Sequence, residues 1–283
     1  MTGSRGPTGS RGPTGIRLIA TDLDGTLLGA DGTVSARTRA ALDAARDAGI
    51  ATIPVTARQP IGLQPIAEQA GFTDWALCGN GAYGVHLTTG EQLFAQELPS
   101  DVQHELAEAL EEVLPDLVYA SVRNGGELFV AQTGYAELSD ISDHKRAPET
   151  MGGVPRADVL AAPSLKLTIR HASVPIPEIY ATLMSLGLTG FEATLSGAPF
   201  VEVMAAGVTK ATGVAQVCTR LGVDSSQVLA FGDALNDVEM LRWAGHGVAV
   251  ANALAPVREV ADEVAASNAE DGVAQVIERM LAS

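Results

Sequence analysis

Two aspartates one residue apart, Asp22 and Asp24, close the apolar run of IRLIATDLDGTLL (residues 16–28). Alternate residues of a strand share a face, so both carboxylates point the same way. Charges of like sign that close repel, and neither gains by burial. A pair of this kind can hold a hard cation that takes oxygen ligands. One member can also attack an electrophile while the other moves a proton. Further polar residues end other apolar runs: Thr56 after IATIPV, Asn80 after WALCG, Asp233 after VLAFG and Asn252 after HGVAVA. Asn236 and Asp237 follow Asp233 closely.

Lysine usage adds a second signal. The chain has 18 Lys plus Arg, but its only lysines are Lys145, Lys166 and Lys210. Where arginine serves as the general cation, a lysine points to a position that needs a compact ammonium. Thr209 is a natural N-cap for a helix over 210–221, which puts Lys210 in the first turn. A cation there opposes the helix dipole by ~0.3–1 kcal/mol, so Lys210 calls for a functional explanation.

The elements that must position these groups follow from the pattern of the chain. From residue 16 short apolar runs alternate with helix-like segments, the mark of βαβ units and a parallel sheet. Strands are expected at 16–21, 50–56, 75–80, 228–233 and 246–252, a helix from Ser35 to Ala48, and a last helix at 271–282. Ligands of open α/β sheets bind outside the carboxyl ends of the strands, which is where all these polar residues fall. The middle differs: a hairpin around Thr89-Gly90, a helix near 101–114, paired strands LVYASV and ELFVAQ, a loop-rich stretch over 132–163, then SLKLTIRH, a helix near 177–186, FEATLS and PFVEVMA. Such a segment reads as an α+β insert in the sheet. Residues 1–15 repeat GSRGPT and are expected to be a flexible tail or an appended artefact outside the fold.

Composition narrows the partners. The 283 residues carry a net charge of −16, which argues against nucleic acid or an anionic membrane. No apolar run approaches the ~20 residues of a membrane span, and no apolar stretch follows the N-terminal arginine as in a secretory signal. Cys78 and Cys218 read as reduced thiols in a cytoplasmic protein. The five histidines have no metal spacing, and no zinc site is expected.

The stretch Asp22-Leu23-Asp24-Gly25-Thr26 resembles the first motif of the haloacid dehalogenase (HAD) superfamily of phosphotransferases. Thr56 in VTAR, Lys210 in GVTKATG and the run Gly232-Asp233-Ala234-Leu235-Asn236-Asp237 follow in the superfamily's order. SGAPFVEVMAAGVTK and SNAEDGVAQVIERML are similar to its Cof-type branch, which carries a type IIB cap between the second and third motifs. The resemblance covers about 16–283. It implies a Rossmann-like parallel-sheet core from 16–83 and 191–283, and an α+β cap from 84–190 that selects the substrate.

The resemblance also implies roles. Asp22 would be the nucleophile and Asp24 the acid/base. Mg²⁺ would be held by Asp22, Asp233 and the Asp24 backbone carbonyl, with Asp237 steadying Lys210 or a water from behind. Thr56, Lys210 and Asn236, with the backbone N–H groups of Leu23 and Ala57, would hold phosphate oxygens. The usual Thr-Gly-Arg is Thr-Ala-Arg here, which keeps the backbone contact at Ala57 in a stiffer loop. Ordinary readings stand beside these: a turn at Asp24-Gly25, a strand-ending hydroxyl at Thr56, helix caps at Asn236 and Asp237. Arg58 either faces the substrate or is a surface cation, and Asn80 either meets the substrate or forms a turn with Gly81. Lys166 is expected on a solvated sheet face and His144 in a surface loop.

The expected function is a Mg²⁺-dependent phosphatase acting on a small phosphorylated metabolite, a sugar phosphate or a phosphorylated cofactor, through an aspartyl phosphate. The nearest alternative is a phosphomutase or other phosphoryl transferase on the same fold. From another class comes a non-catalytic phospho-acceptor switch like a bacterial receiver domain, against which Asp24 and the long insert both speak. A sugar- or nucleotide-binding protein with a dead site is disfavoured by the completeness of the motifs.

Overall fold

Leu18, Ile19 and Ala20 are all fully buried. A strand covered on both faces reads as an unbroken apolar run, and this one must lie between two layers. The computed structural model describes residues 15–283. The expectation for residues 1–15 therefore lies, Gly15 apart, outside the described residues.

The strands in chain order are β1 (Leu18–Thr21), β2 (Ala51–Pro54), β3 (Trp75–Cys78), β4 (Tyr83–His86), β5 (Gln92–Ala95), β6 (Val118–Arg123) and β7 (Leu128–Ala131). They continue with β8 (Lys166–Arg170), β9 (Phe191–Thr194), β10 (Val201–Ala205), β11 (Val228–Gly232), β12 (His246–Ala249) and β13 (Glu263–Val264). A five-stranded sheet runs β13-β12-β11-β1-β2, parallel throughout. A bridge from Val55 to Leu77 extends the parallel order to β3, which heads a three-stranded antiparallel sheet with β4 and β5.

Helices Ala36–Asp47, Lys210–Leu221 and Gly272–Leu281 cover the parallel sheet, burying Leu42, Val214, Val217 and Ile277 in one apolar cluster. Their ends are set locally. The Ser35 side chain accepts from the Thr38 N–H at 3.0 Å, and Gly49 adopts φ +80° just past the helix. Among the described residues no helix is long and apolar enough to cross a membrane.

A second five-stranded sheet, β7-β6-β8-β10-β9, is antiparallel. Helices Ser100–Val113 and Ile176–Ser185 cover it, and Leu106, Leu110, Ile179 and Leu183 meet Tyr119, Leu167, Ile169, Val201 and Val203 in a separate core. Two cores joined by crossing segments are the expected α/β architecture with an inserted α+β unit.

The sheet pairings correct both expected boundaries of that unit. Strand β4 and strand β5 run past residue 83 but pair with β3, and Val85 and Phe94 pack on the first core. Conversely, β9 and β10 lie beyond 190 yet join the second sheet through β8. A strand belongs to the sheet whose ladder it completes, and local pattern does not reveal that partner. The stretch 132–163 also contains two short helices, Ile141–His144 and Arg156–Leu160. At the start of the first, the Asp140 N–H donates to Asp143 Oδ2 at 3.1 Å.

Candidate active site

The parallel strands deliver their terminal residues to one edge. Asp22 follows β1 directly, and the chain then turns through Asp24 and Gly25, which has φ +86°. Gly25 is required there twice over. Its φ favours glycine, and a Cβ would lie 2.4 Å from Asp233 Oδ2. The turn thus rests against the end of β11, where Thr26 Oγ1 donates to Asp233 Oδ1 at 2.6 Å. From the other side, Asn252 beyond β12 donates to the Gly25 carbonyl at 2.7 Å.

Lys210 lies at the centre of the charge network, 1% exposed. Its ammonium donates to Asp22 Oδ1 and to Asp237 Oδ1, each at 2.6 Å. The expected cap forms as read: the Thr209 side chain accepts from the Thr212 N–H at 3.2 Å. Gly81 and Gly213 let this helix close on the loop after β3, since a Cβ on Gly81 would meet the Thr209 carbonyl at 2.3 Å. Asp237 uses its other oxygen to accept the N–H groups of Asp233 (2.9 Å) and Ala234 (3.0 Å), which fixes the closing turn. In this arrangement Lys210 touches carboxylates and does not line the cavity described below.

Burial pushes the Asp22 carboxyl well above its ordinary range; Lys210 opposes the rise, while Asp237 and Asp233 add to it. Burial likewise pushes Asp233 up to about 6, with Asp237 and Asp24 adding to the rise against Thr26 and Lys210. Burial also tends to depress Lys210, but its two carboxylates outweigh that and raise it. One ammonium thus serves a cluster of three carboxylates, Asp22, Asp233 and Asp237, whose oxygens lie within 4.8 Å of one another. Asp237 is fully engaged by Lys210 and two N–H groups, so the unclaimed oxygens belong to Asp22 and Asp233. An all-oxygen, charge-deficient cluster suits a hard divalent cation, so the residues present fit one.

Asp24 behaves differently. Arg58 grips it with two bonds, Nε to Oδ2 and Nη2 to Oδ1, both 2.6 Å. Burial acts to raise this carboxyl, but the Arg58 hydrogen bonds and charge outweigh it and hold Asp24 below its ordinary value. Arg58 is therefore partnered within the site and is no free surface cation. Its own N–H donates to Thr56 Oγ1 at 3.1 Å, which directs the hydroxyl proton of Thr56 elsewhere. Asn80, in the left-handed region at φ +58°, is buried behind the site. It accepts from Asn236 Nδ2 at 2.9 Å and so supports Asn236 from behind the cavity wall. The Leu23 side chain is fully buried beneath the turn.

A cavity of about 410 Å³ opens above these residues and is shared with the second sheet. Asp22, Asp24, Thr56, Ala57, Asp233 and Asn236 form its floor; His144, Lys145, Lys166, Phe200 and Glu202 reach it from the insert. Two expectations are corrected here. Lys166 is 4% exposed, paired with the fully buried Glu202 at 2.5 Å, and donates to the Ala57 carbonyl at 2.9 Å. The alternation Leu165-Lys166-Leu167 does identify a two-faced strand, but the face opposite the core is covered by the loop after β2 instead of water. His144 is buried as well, hydrogen-bonded to the Tyr135 hydroxyl at 2.9 Å and stacked on Phe200 with ring centroids 4.6 Å apart. Burial, with Lys166, Arg170 and Arg146 nearby, pushes its imidazole down to about 3 and keeps it neutral. Glu202 and Phe200 carried no local signal; the rarity of lysine was the one clue to Lys166.

Residues 19–277 match a family model described as haloacid dehalogenase-like hydrolase. The chain is 29% identical over 264 residues to the 5-amino-6-(5-phospho-D-ribitylamino)uracil phosphatase YitU of Bacillus subtilis, covering 92% of this chain and 96% of that protein. It is also 29% identical over 268 residues to the pyridoxal phosphate phosphatase YbhA of Escherichia coli, covering 92% and 97%. Among solved structures it is similar to BT1666 of Bacteroides thetaiotaomicron, described among phosphatases of the HAD superfamily, with a TM-score of 0.79, 27% identity and 99% of each chain covered.

Proposed function

Because the chain belongs to the haloacid dehalogenase-like hydrolases, we propose that it is a Mg²⁺-dependent phosphatase that hydrolyses a small phosphorylated metabolite through a phosphoaspartate at Asp22. The relatives of this family include phosphatases named for a ribitylaminouracil phosphate and for pyridoxal phosphate, both small phosphate monoesters. The observation that carries the reading is the Lys210 bridge between Asp22 and Asp237, beneath a cavity whose floor holds Asp22, Asp24 and Asp233.

Lys210 fixes the rotation of the Asp22 carboxylate, so a free oxygen is aimed at the phosphorus. In the first half-reaction that oxygen forms the new O–P bond as the bond to the substrate alcohol breaks. Asp24 supplies the proton that the leaving oxygen needs. In the second half Asp24 takes a proton from water, which attacks the phosphoaspartate and returns the Asp22 carboxylate. Asp24 enters this cycle ionised because Arg58 grips it. A phosphate dianion competing for Arg58 would loosen that grip, so that Asp24 takes up from solvent the proton it gives to the leaving oxygen. The proton it later takes from water returns to solvent as Arg58 closes on it again. Thr56 and the N–H groups of Leu23 and Ala57 would hold the phosphoryl oxygens, with Asn236 beside them. Bound at Asp22, Asp233 and the Asp24 carbonyl, Mg²⁺ would neutralise the carboxylates and the phosphoryl charge.

The second sheet with its helices, about residues 98–205, acts as the cap that excludes water and selects the substrate. Two free thiols, Cys78 and Cys218, both buried, accord with a reducing cytoplasmic setting. The test is release of inorganic phosphate from p-nitrophenyl phosphate with Mg²⁺ present and absent. Asp22→Asn is expected to lower it at least ~10³-fold; a variant as active as the wild type sinks the assignment of Asp22.

A further inference from the structure

The roof of the cavity holds polar atoms that the phosphate chemistry leaves idle. Glu202, on β10, is fully buried and lines the cavity. Its Oε1 accepts from Lys166, but its Oε2 is buried without a hydrogen-bond partner. Gln59, 6% exposed on the opposite wall, leaves its Oε1 in the same condition. Buried polar atoms are nearly always satisfied, and these two, with Asn236 Oδ1 likewise unpartnered at the floor of the same cavity, point to a ligand that completes them. Lys166 spends two of its three N–H groups on Oε1 and the Ala57 carbonyl, and forms no bond to Oε2. An ionised carboxylate oxygen only accepts, so the missing partner is a donor.

The surroundings select the kind of donor. Lys166 sits 2.5 Å from Oε1, and Lys145 and Arg58 line the same cavity. A ligand ammonium placed at Oε2 would face these cations, whereas a neutral hydroxyl would not. Beside Glu202 the Phe200 ring, 2% exposed, is stacked on His144 and lies under the Lys166 ammonium at 5.7 Å, so it holds this part of the wall in place. We propose that Glu202 Oε2, with Gln59 opposite, reads hydroxyl groups on the organic part of the substrate, so that the cavity takes a polyhydroxylated phosphate monoester. This rests on the phosphatase reading and adds a specificity subsite that the phosphate chemistry does not require.

The test compares kcat/KM for sorbitol 6-phosphate and n-hexyl phosphate, which share chain length and differ in hydroxyls. The wild type is expected to favour the hexitol ester at least ~100-fold, since a site built around hydrogen bonds rejects analogues that lack them. Glu202→Gln, which turns the acceptor into a donor, is expected to cut that ratio at least ~10-fold, and Gln59→Met to cut it as well. The Gln59 variant and the wild-type ratio carry the test if Glu202→Gln does not fold. A wild-type ratio near one overturns the subsite, as does a ratio that both variants leave unchanged. Faster turnover of 6-aminohexyl phosphate than of the hexitol ester overturns the preference for neutral hydroxyls. Turnover of p-nitrophenyl phosphate without any hexitol preference defeats the subsite alone, whereas no phosphate release from any ester defeats the phosphatase reading with it.

Discussion

Lys210→Met removes an ammonium and keeps most of the stem. In the folded chain Lys210 is 1% exposed, and its ammonium bonds two carboxylates at 2.6 Å each. Without it, three carboxylates within 4.8 Å of one another lose the cation that bridges two of them. Taking one partner from a buried ion network costs about 3–5 kcal/mol. For a chain of this size each kcal/mol corresponds to about 2–4 °C, so Tm should fall by roughly 6–20 °C. The pH dependence follows from the carboxyls. Asp22 already lies above its ordinary value and Asp233 near about 6, and loss of Lys210 raises them further. Groups raised by folding stabilise the fold when protonated and lose that contribution as pH climbs through the folded value. The penalty should therefore be largest at about pH 8 and shrink toward about pH 5. Thermal unfolding of both proteins at these two pH values, in chelator, measures it. A variant within ~2 °C of wild type at the higher pH, or a penalty that grows on acidification, would refute the reasoning.

Other perturbations probe other parts of the site. Gly25→Ala places a Cβ 2.4 Å from Asp233 Oδ2 at φ +86°; it should destabilise by about 1–3 kcal/mol and lower activity at least ~100-fold, and a fully active variant contradicts the packing. With Asp233 pushed up to about 6, protons compete with the cation. The Mg²⁺ concentration for half-maximal phosphate release should rise at least roughly fourfold between about pH 7.5 and pH 5.5, where a flat titration rules Asp233 out as a ligand. Lys166→Met strands the Glu202 charge at 0% exposure, and Tm should fall. Adding Glu202→Gln to it should recover part of that loss, a coupling that strictly additive Tm changes would disprove.

The floor of the site was legible because its residues lie where strands end. In a parallel sheet the carboxyl edge is fixed by chain direction, so Asp22, Thr56 and Asp233 converge once the strands are recognised. The Thr209 cap likewise depends only on neighbours in sequence, and it forms as expected. Arg58 shows where legibility stops. Its place after Thr56 was clear, but its partner Asp24 lies 34 residues away and neither flanking pattern names it. Asn80 differs again: its left-handed turn was readable from Gly-Asn-Gly, whereas its support of Asn236 spans 156 residues.

By itself the sequence determined the parallel core, the order of the polar segments at its strand ends, the excess of negative charge in the chain and the presence of an inserted unit. These rest on periodicity, chain direction and local caps, which are short-range properties. Only the tertiary structure decided which sheet β4, β5, β9 and β10 complete, since a ladder is closed by a distant partner. It alone brought Lys166 and His144 out of water, because burial depends on what another segment covers. The roof of the cavity, with Glu202 half-satisfied against Phe200, is a product of that long-range closure and has no counterpart in any local pattern.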